Sequence, residues 1–147
     1  IDGKGNVVCI ATTRWTLTNI DTLSITKITD DIIDKYKPED KTIMPEFTFK
    51  KLKEHASFDG EYVYTTQRKD IDVNKHMHNL NYLDLAYEAL PEDVYFHSEF
   101  NEIEIMYKSA IRLGDVVKCL YSFADGKHVV TIKSMDNKTL HCIVNLW

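Results

Sequence analysis

Residues 79–91 read NLNYLDLAYEALP, and this stretch carries a strong indication of the fold class. Asn79 is a natural N-cap and Pro91 stops the pattern, so the sequence predicts a helix over residues 80–90. Leucine, alanine and tyrosine side chains make this helix apolar over more than half of its circumference. A helix with so wide an apolar surface has to be wrapped by other structure.

Segments typical of β-strands surround this helix in the sequence. One precedes it at residues 62–66, and turn-forming pairs such as Asp125-Gly126 divide the chain after the helix into further segments. Four consecutive antiparallel strands are predicted there, over residues 102–111, 114–124, 127–135 and 138–147. One helix followed by a meander indicates an α+β fold, with the helix packed on one face of an antiparallel sheet that curls around it.

The first part of the chain has a different character. Residues 7–21 (VVCIATTRWTLTNID) are rich in β-branched and aromatic residues and predict a strand. Thr29-Asp30-Asp31 predicts the start of a short helix, which Pro38 stops. We therefore interpret residues 23–57 as a partly helical connector and residues 58–147 as a complete domain.

Composition excludes several classes of protein. Of the 147 residues, 44% are hydrophobic, but no apolar run exceeds a few residues, so neither a membrane span nor a signal peptide is expected. The net charge of −5 argues against nucleic acid as the main partner. Cys9, Cys119 and Cys142 are odd in number and widely spaced, which indicates free thiols in a reducing compartment and predicts a cytoplasmic location.

The densest polar chemistry lies in residues 68–79, RKDIDVNKHMHN. Its acidic residues open like a calcium loop, but Lys75 stands where glycine is required and Asn81 where a bidentate glutamate belongs. His76 and His78 have no third ligand at a suitable spacing. We therefore expect neither a metal nor another cofactor.

Two interpretations of this stretch remain open from the residues alone. In the first, the side chains only cap the following helix and satisfy a turn. In the second, they perform acyl transfer. An asparagine amide can donate to a carbonyl oxygen as negative charge develops, a histidine can take a proton near neutral pH, and an aspartate can fix its orientation.

Asp72-x-Asn74-x-His76, followed by Asn79 and Tyr82, resembles the D-x-N-x-H-V-N-N-x-x-Y stretch of acyl-ACP thioesterases. These are hotdog-fold enzymes of bacterial and plastid fatty-acid synthesis. Further likenesses are Arg14-Trp15 to the family's S-R-W segment, Tyr107-Lys108 with Gly114-Asp115 to the strand after the helix, and Trp147 to the closing strand. The resemblance implies a hotdog fold, an antiparallel sheet wrapped around one long central helix.

The family consists of two tandem hotdogs, with acyl-chain selection mostly in the first and catalysis in the second. By this resemblance, residues 1–22 are terminal strands of a mostly missing first hotdog. Residues 23–57 are then the interdomain connector, and residues 58–147 are the complete second hotdog. Either the chain is truncated or a second copy fills the missing role, so we expect pairing with another hotdog, for instance in a homodimer.

The resemblance also implies an activity, the hydrolysis of fatty acyl thioesters of acyl carrier protein. Asn74 would polarise the thioester carbonyl, His76 would be the general base, Asp72 would hold the pair in place, and Asn79 would be a neighbour. The partner would be the acidic carrier protein with its acyl-phosphopantetheine arm. Candidate docking residues are Lys50, Lys51, Lys53, Arg68, Lys69 and Lys75.

The chain departs from the family pattern at three positions. Ala110 stands where the family has a catalytic glutamate, Ile111 where plant members often carry a cysteine, and His78 where the first asparagine of the N-N pair belongs. Loss of one acid–base group costs on the order of 10²–10⁴-fold in rate. Glu104 cannot substitute, since six residues of strand separate it from Ala110 by roughly 20 Å. An engineered change, a locally shifted alignment and a naturally weakened enzyme all remain open.

Two other functions are compatible with these departures. The chain could be a hotdog that binds acyl chains or the acyl carrier without turning them over, which Ala110 and the missing first hotdog favour. It could also be an acyl-CoA thioesterase of another hotdog family. Hydrolysis assays on carrier and CoA thioesters would separate these functions.

Overall fold

The computed structural model describes residues 1–22 and 24–147. The chain divides into two compact units, residues 1–50 and residues 51–147. Residues 51–57, predicted to be the end of the connector, group with the second unit. In the described ranges, no helix is both long enough and apolar enough to cross a bilayer.

The first unit contains little regular structure. Strands β1 (Leu17–Thr18) and β2 (Ile25–Thr26) form a two-stranded antiparallel pair, and helix α1 spans Asp30–Tyr36. The predicted short helix is therefore confirmed, with Lys37 in the left-handed region where it ends, just before Pro38. Leu23, the first residue of the predicted connector, lies outside the described residues.

The long strand predicted over residues 7–21 is wrong. Only Leu17–Thr18 is a strand there, and Val7, Val8 and Trp15 are exposed. β-branched and aromatic residues favour strands because they pack on neighbouring strands of a half-buried surface. In the described part of this unit, β2 is the only strand that pairs with the segment, and it does so over two residues.

The second unit is built on a five-stranded antiparallel sheet in the order β3-β5-β6-β7-β4. A 3-10 turn lies at Arg68–Asp70. The strands are β3 (Gly60–Thr65), β4 (Ile103–Tyr107), β5 (Val116–Ala124), β6 (Lys127–Ser134) and β7 (Leu140–Leu146), and the helices are α2 (Asn79–Glu88) and α3 (Glu92–His97).

The predicted meander of four strands is wrong in one connection. Strand β4 does not pair with β5; it pairs with β7 at the far edge of the sheet. Residues 108–115 must therefore cross the end of the sheet to reach β5. Strands β5, β6 and β7 do form a meander. The turn pairs predicted the boundaries between β5, β6 and β7, but β4 ends at Tyr107 rather than at residue 111. Local sequence also carries no information on which edge β4 would join.

Helix α2 packs on the sheet and supplies the core, as its apolar sequence predicts. Tyr82, Leu85 and Ala86 are buried against side chains of the central strands. Burial of this kind stabilises a domain by about 25 cal/mol per Å² of apolar surface removed from water. The α+β architecture is as expected. Helix α3, which the sequence analysis did not predict, begins directly after Pro91.

Candidate active site

A tight loop between Ile71 and Met77 carries three of the predicted site residues. The Asp72 N–H donates to the His76 carbonyl at 2.8 Å, and the Lys75 N–H donates to the Asp72 carbonyl at 3.0 Å. Lys75 has φ of 62°, a left-handed conformation that favours glycine or asparagine. Backbone hydrogen bonds therefore contribute to the shape of this loop.

The Asp72 side chain closes the loop from within. Its Oδ1 accepts hydrogen bonds from the Asn74 N–H at 2.8 Å and the His76 N–H at 3.3 Å, and Oδ2 accepts from Asn74 Nδ2 at 3.4 Å. Partial burial alone would raise the pKa of the Asp72 carboxyl. Hydrogen bonds from the His76 and Asn74 N–H groups outweigh this effect and lower the pKa below its usual range.

The loop is anchored to the segment that crosses from β4 to β5. The Met77 N–H donates to the Ile111 carbonyl at 2.8 Å, and the Ile111 N–H donates to the Tyr82 hydroxyl at 3.0 Å. Met77, Ile111 and Tyr82 are all buried. These contacts place the crossing segment beside the beginning of α2.

Buried Asp70 anchors the other side of the loop. Its carboxylate accepts hydrogen bonds from the Tyr64 hydroxyl at 2.8 Å and the Gln67 N–H at 2.7 Å. Its carbonyl accepts from the His78 N–H at 2.8 Å and from Asn81 Nδ2 at 3.1 Å. The loop is therefore attached both to β3 and to the start of α2.

A cleft of about 360 Å³ opens beside the loop at the beginning of α2. The side chains that the sequence singles out for chemistry share it with residues of the crossing segment. His76 is half-buried and Asn74 is exposed. The residues lining the cleft include Asp72, Asn74, His76, His78, Asn79, Tyr82, Tyr107, Lys108, Ser109 and Ala110.

The prediction that Asn79 caps α2 is wrong by one residue. His78 is the N-cap, and its ring Nδ1 accepts a hydrogen bond from the Leu80 N–H at 3.2 Å. Asn79 is the first helical residue, and its carbonyl accepts from the Tyr107 hydroxyl at 3.1 Å. A histidine in an extended conformation thus takes the role that asparagine usually has at this position.

Two tyrosines form a wall of the cleft, a feature that the sequence analysis did not anticipate. The rings of Tyr82 and Tyr107 meet edge to face with centroids 5.3 Å apart. Burial raises the pKa of Tyr107 to about 12 and also raises the pKa of Tyr82. Both hydroxyls therefore stay neutral at physiological pH and can serve only as hydrogen-bond donors or acceptors.

The side chains that could replace the family's glutamate and cysteine lie outside the cleft. Glu104 accepts from Lys127 Nζ at 3.4 Å and from Asn145 Nδ2 at 3.3 Å, and it does not line the cleft. Cys119 and Cys142 are buried in the core, where burial raises the pKa of both thiols. Neither this carboxylate nor these thiols therefore reach the cleft.

The five predicted docking residues of the second unit lie in three different places. Lys51 and Lys53 line a second cleft, on the other side of the segment that follows β4. Arg68 and Lys69 are exposed on the 3-10 turn, and Lys75 is exposed on the site loop. Lys50 is exposed in the first unit.

Comparison with known proteins identifies relatives of this chain. The model of the family described as acyl-ACP thioesterase C-terminal domain matches residues 53–145, well over half of the chain. Oleoyl-acyl carrier protein thioesterase 2 of Arabidopsis thaliana, a chloroplastic protein, is 26% identical over 136 residues. That alignment covers 86% of this chain but only 37% of the relative, so the chain spans less than two fifths of that protein's length.

Solved structures show the same fold. A 12:0-ACP thioesterase from Umbellularia californica superposes with a TM-score of 0.77 at 18% identity, over 88% of this chain and 51% of the other. An acyl-ACP thioesterase from Bacteroides thetaiotaomicron gives a TM-score of 0.68, also at 18% identity, over 88% of this chain and 51% of the other. The predicted hotdog fold is confirmed.

Proposed function

Because the chain belongs to the acyl-ACP thioesterase family, we propose that it carries the catalytic hotdog of an enzyme that hydrolyses fatty acyl thioesters of acyl carrier protein. The products are a free fatty acid and the carrier thiol. One observation carries the proposal: Asp72, Asn74 and His76 line a single cleft at the beginning of α2. By the same family likeness, residues 1–22, which contain the short strand β1, are the end of a first hotdog, and residues 23–57 are the connector.

Asn74 binds the thioester carbonyl. Its amide is exposed at the cleft, and the hydrogen bond from its Nδ2 to Asp72 is long, at 3.4 Å. A second N–H on the same nitrogen is therefore available to the carbonyl oxygen. Removal of one such donor to a developing oxyanion costs about 10²–10³-fold in rate.

His76 is the general base. Among the hydrogen bonds of the described residues, none involves its imidazole, so the ring nitrogens are open to substrate and water. The imidazole takes a proton from water, and the water oxygen forms a bond to the carbonyl carbon. The carbon–sulfur bond then breaks, and the leaving sulfur takes the proton from the imidazolium.

Asp72 acts through the loop backbone. Its carboxylate accepts from the N–H groups of Asn74 and His76, which fixes the positions of both reacting residues. The contacts found for this carboxylate involve no imidazole atom. We therefore assign Asp72 as a positioning residue.

Ala110 is the observation that favours a second function. It lines the same cleft as His76, so the position of the family glutamate faces the candidate site but offers no carboxylate. Of the residues found to line this cleft, Asp72 alone is acidic. A hotdog that binds acyl chains or the carrier without hydrolysis would tolerate this change, whereas an efficient enzyme would not.

Pairing with a second hotdog is part of the proposal. In the described chain, β4 pairs with β7 alone, so its other edge offers free backbone groups close to Tyr107 and the cleft. A first hotdog of the same polypeptide or a second copy could add to this edge. The cytoplasmic location stays a prediction from the cysteine pattern.

Hydrolysis of a long-chain acyl carrier protein tests the activity, with release of the carrier thiol as the readout. Replacement His76→Ala should lower kcat by roughly 10²–10⁴-fold because it removes the general base. His97→Ala is the matched control, since His97 is exposed on α3 and does not line the cleft. Equal rates for the parent and His76→Ala would contradict the assignment.

The same assay separates the alternatives. If neither the parent nor an Ala110→Glu variant hydrolyses thioesters but acyl chains still bind, the chain is a binding module. If CoA thioesters react as fast as carrier thioesters, it is an acyl-CoA thioesterase.

A further inference from the structure

A second cleft, of about 550 Å³, lies in the unit of residues 51–147. Its size falls within the range of roughly 300–1,000 Å³ that is usual for small-ligand pockets. Lys108 and Ser109 line both this cleft and the candidate active site. The two clefts therefore meet along the segment that follows β4.

The second cleft is positively charged, although the chain has a net charge of −5. Its one acidic residue, Glu54, forms an ion pair with Lys133. Within residues 1–22 and 24–147, only one of the lining lysines, Lys138, has a carboxylate within ion-pair distance, at 3.6 Å from Asp136. The four lysines that line the cleft are Lys51, Lys53, Lys108 and Lys138.

Apolar side chains complete the lining. Leu52, Met106 and Leu140 are half-buried in the same cleft. A bare inorganic anion would gain nothing from such a surface, because the favourable term for apolar groups is their removal from water. The lining therefore suits an elongated ligand with an anionic end and an apolar part.

We propose that this cleft holds the phosphopantetheine arm of the acyl carrier protein. The lysine ammonium groups bind the phosphate by charge-assisted hydrogen bonds, and Leu52, Met106 and Leu140 contact the apolar part of the arm. The arm then passes Lys108 and Ser109, so that its thioester reaches Asn74 and His76. This inference rests on the proposed function, since it names how that substrate enters the same site.

Only some of the docking residues that the sequence suggested line the second cleft. Lys51 and Lys53 contact the arm, and Lys108 and Lys138 join them, although neither stood out in the sequence. Arg68 and Lys69 line neither cleft. The lysines of the second cleft come from three separate parts of the sequence, which is why the charge pattern along the chain does not reveal the group.

The test compares binding of holo carrier protein, which bears the arm, with binding of apo carrier protein, which lacks it. In the double variant Lys51→Glu/Lys53→Glu, the Kd for the holo form should rise about tenfold or more, because two cationic partners of the phosphate become anionic. The Kd for the apo form should not change. Lys27→Glu/Lys41→Glu is the matched control, with the same charge change at two exposed residues of the first unit.

Hydrolysis gives a second readout. The kcat/KM for acyl carrier protein should fall about tenfold in the double variant, whereas acyl-pantetheine, which has no phosphate, should react as before. An equal fall with acyl-CoA shows that the phosphate is recognised irrespective of its source. If the double variant fails to fold, Lys138→Glu in the exposed turn before β7 replaces it, with the same expected losses.

Three results would overturn the inference: an unchanged Kd for the holo form, an equal loss for the apo form, or an equal loss with Lys27→Glu/Lys41→Glu. A fourth result, a loss of affinity for the holo form with Lys69→Glu but not with the double variant, would place the docking surface on the 3-10 turn. If the chain hydrolyses no thioester but its affinity for the holo form depends on Lys51 and Lys53, the arm site stands and the proposed activity fails. If the chain hydrolyses thioesters but its affinity for the holo form does not depend on Lys51 and Lys53, only the arm site is rejected.

Discussion

At the scale of single residues, the structure of the site loop is compatible with both interpretations that its sequence left open. Asp72 satisfies the turn through backbone N–H groups, and His78 caps α2. Asn74 and His76 are held by these contacts, while their side chains remain at the cleft. The structural contacts of Asp72 and His78 therefore leave the side chains of Asn74 and His76 available for a chemical role.

The lowered pKa of Asp72 predicts a pH dependence for this loop. Because the pKa of its carboxyl is lower in the folded chain than in the unfolded chain, the carboxylate stabilises the fold above its unfolded pKa. That contribution is lost as the pH falls through the lowered pKa. Amide chemical shifts of Asn74 and His76 should therefore change together in acid.

The control for this titration is Asp72→Asn, which keeps an oxygen acceptor but cannot ionise in this range. The acid transition of the two amides should be absent in that variant. An unchanged transition would mean that another group controls the loop.

At the scale of elements, the crossing from β4 to β5 decides where the site lies. The strands themselves were predictable from alternation and turn pairs, because these are local signals. The partner of β4 was not, since it depends on contacts between residues far apart in sequence, such as Tyr107 opposite Cys142. The position of Ala110 at the cleft is a consequence of that unpredicted connection.

The hydrogen bond between the Tyr82 hydroxyl and the Ile111 N–H should hold this crossing in place. Replacement Tyr82→Phe leaves a buried N–H without a partner, which costs about 1–3 kcal/mol of unfolding free energy. Urea denaturation measures the loss. Tyr87→Phe is the control, because Tyr87 lies on the same helix, is half-buried, and its hydroxyl makes none of the hydrogen bonds found in the described chain. Equal losses in the two variants would contradict the assigned role of Tyr82.

At the scale of the whole molecule, the fold of the second unit could be predicted, whereas in the first unit only the short helix α1 was predictable. The apolar helix and the antiparallel strands of residues 58–147 constrain each other, so their fold class was readable from the pattern alone. Residues 7–21 have the composition of a strand, but composition does not specify a neighbouring strand with which they would pair. Their exposed apolar side chains, among them Val7 and Trp15, show where the prediction failed.

The free edge of β4 predicts self-association. Ile103 lies on this edge and is 44% exposed, so a second hotdog that added there would cover it. Sedimentation equilibrium should show a concentration-dependent dimer, and Ile103→Lys should weaken it, because lysine on an edge strand opposes further pairing. A monomer at all concentrations would contradict the proposed pairing of two copies.

The most direct test of the central claim is a four-protein comparison of kcat for a long-chain acyl carrier protein. The proteins are the parent chain, Ala110→Glu, His76→Ala and the combination Ala110→Glu/His76→Ala, with Ala110→Gln as the control for side-chain size. We predict that Ala110→Glu raises kcat by roughly 10²-fold or more, that Ala110→Gln does not, and that the gain disappears when His76 is also replaced. A gain that persists without His76 would contradict the assignment of His76 as the general base, and no gain with Ala110→Glu would contradict the assignment of this cleft as the site of thioester hydrolysis.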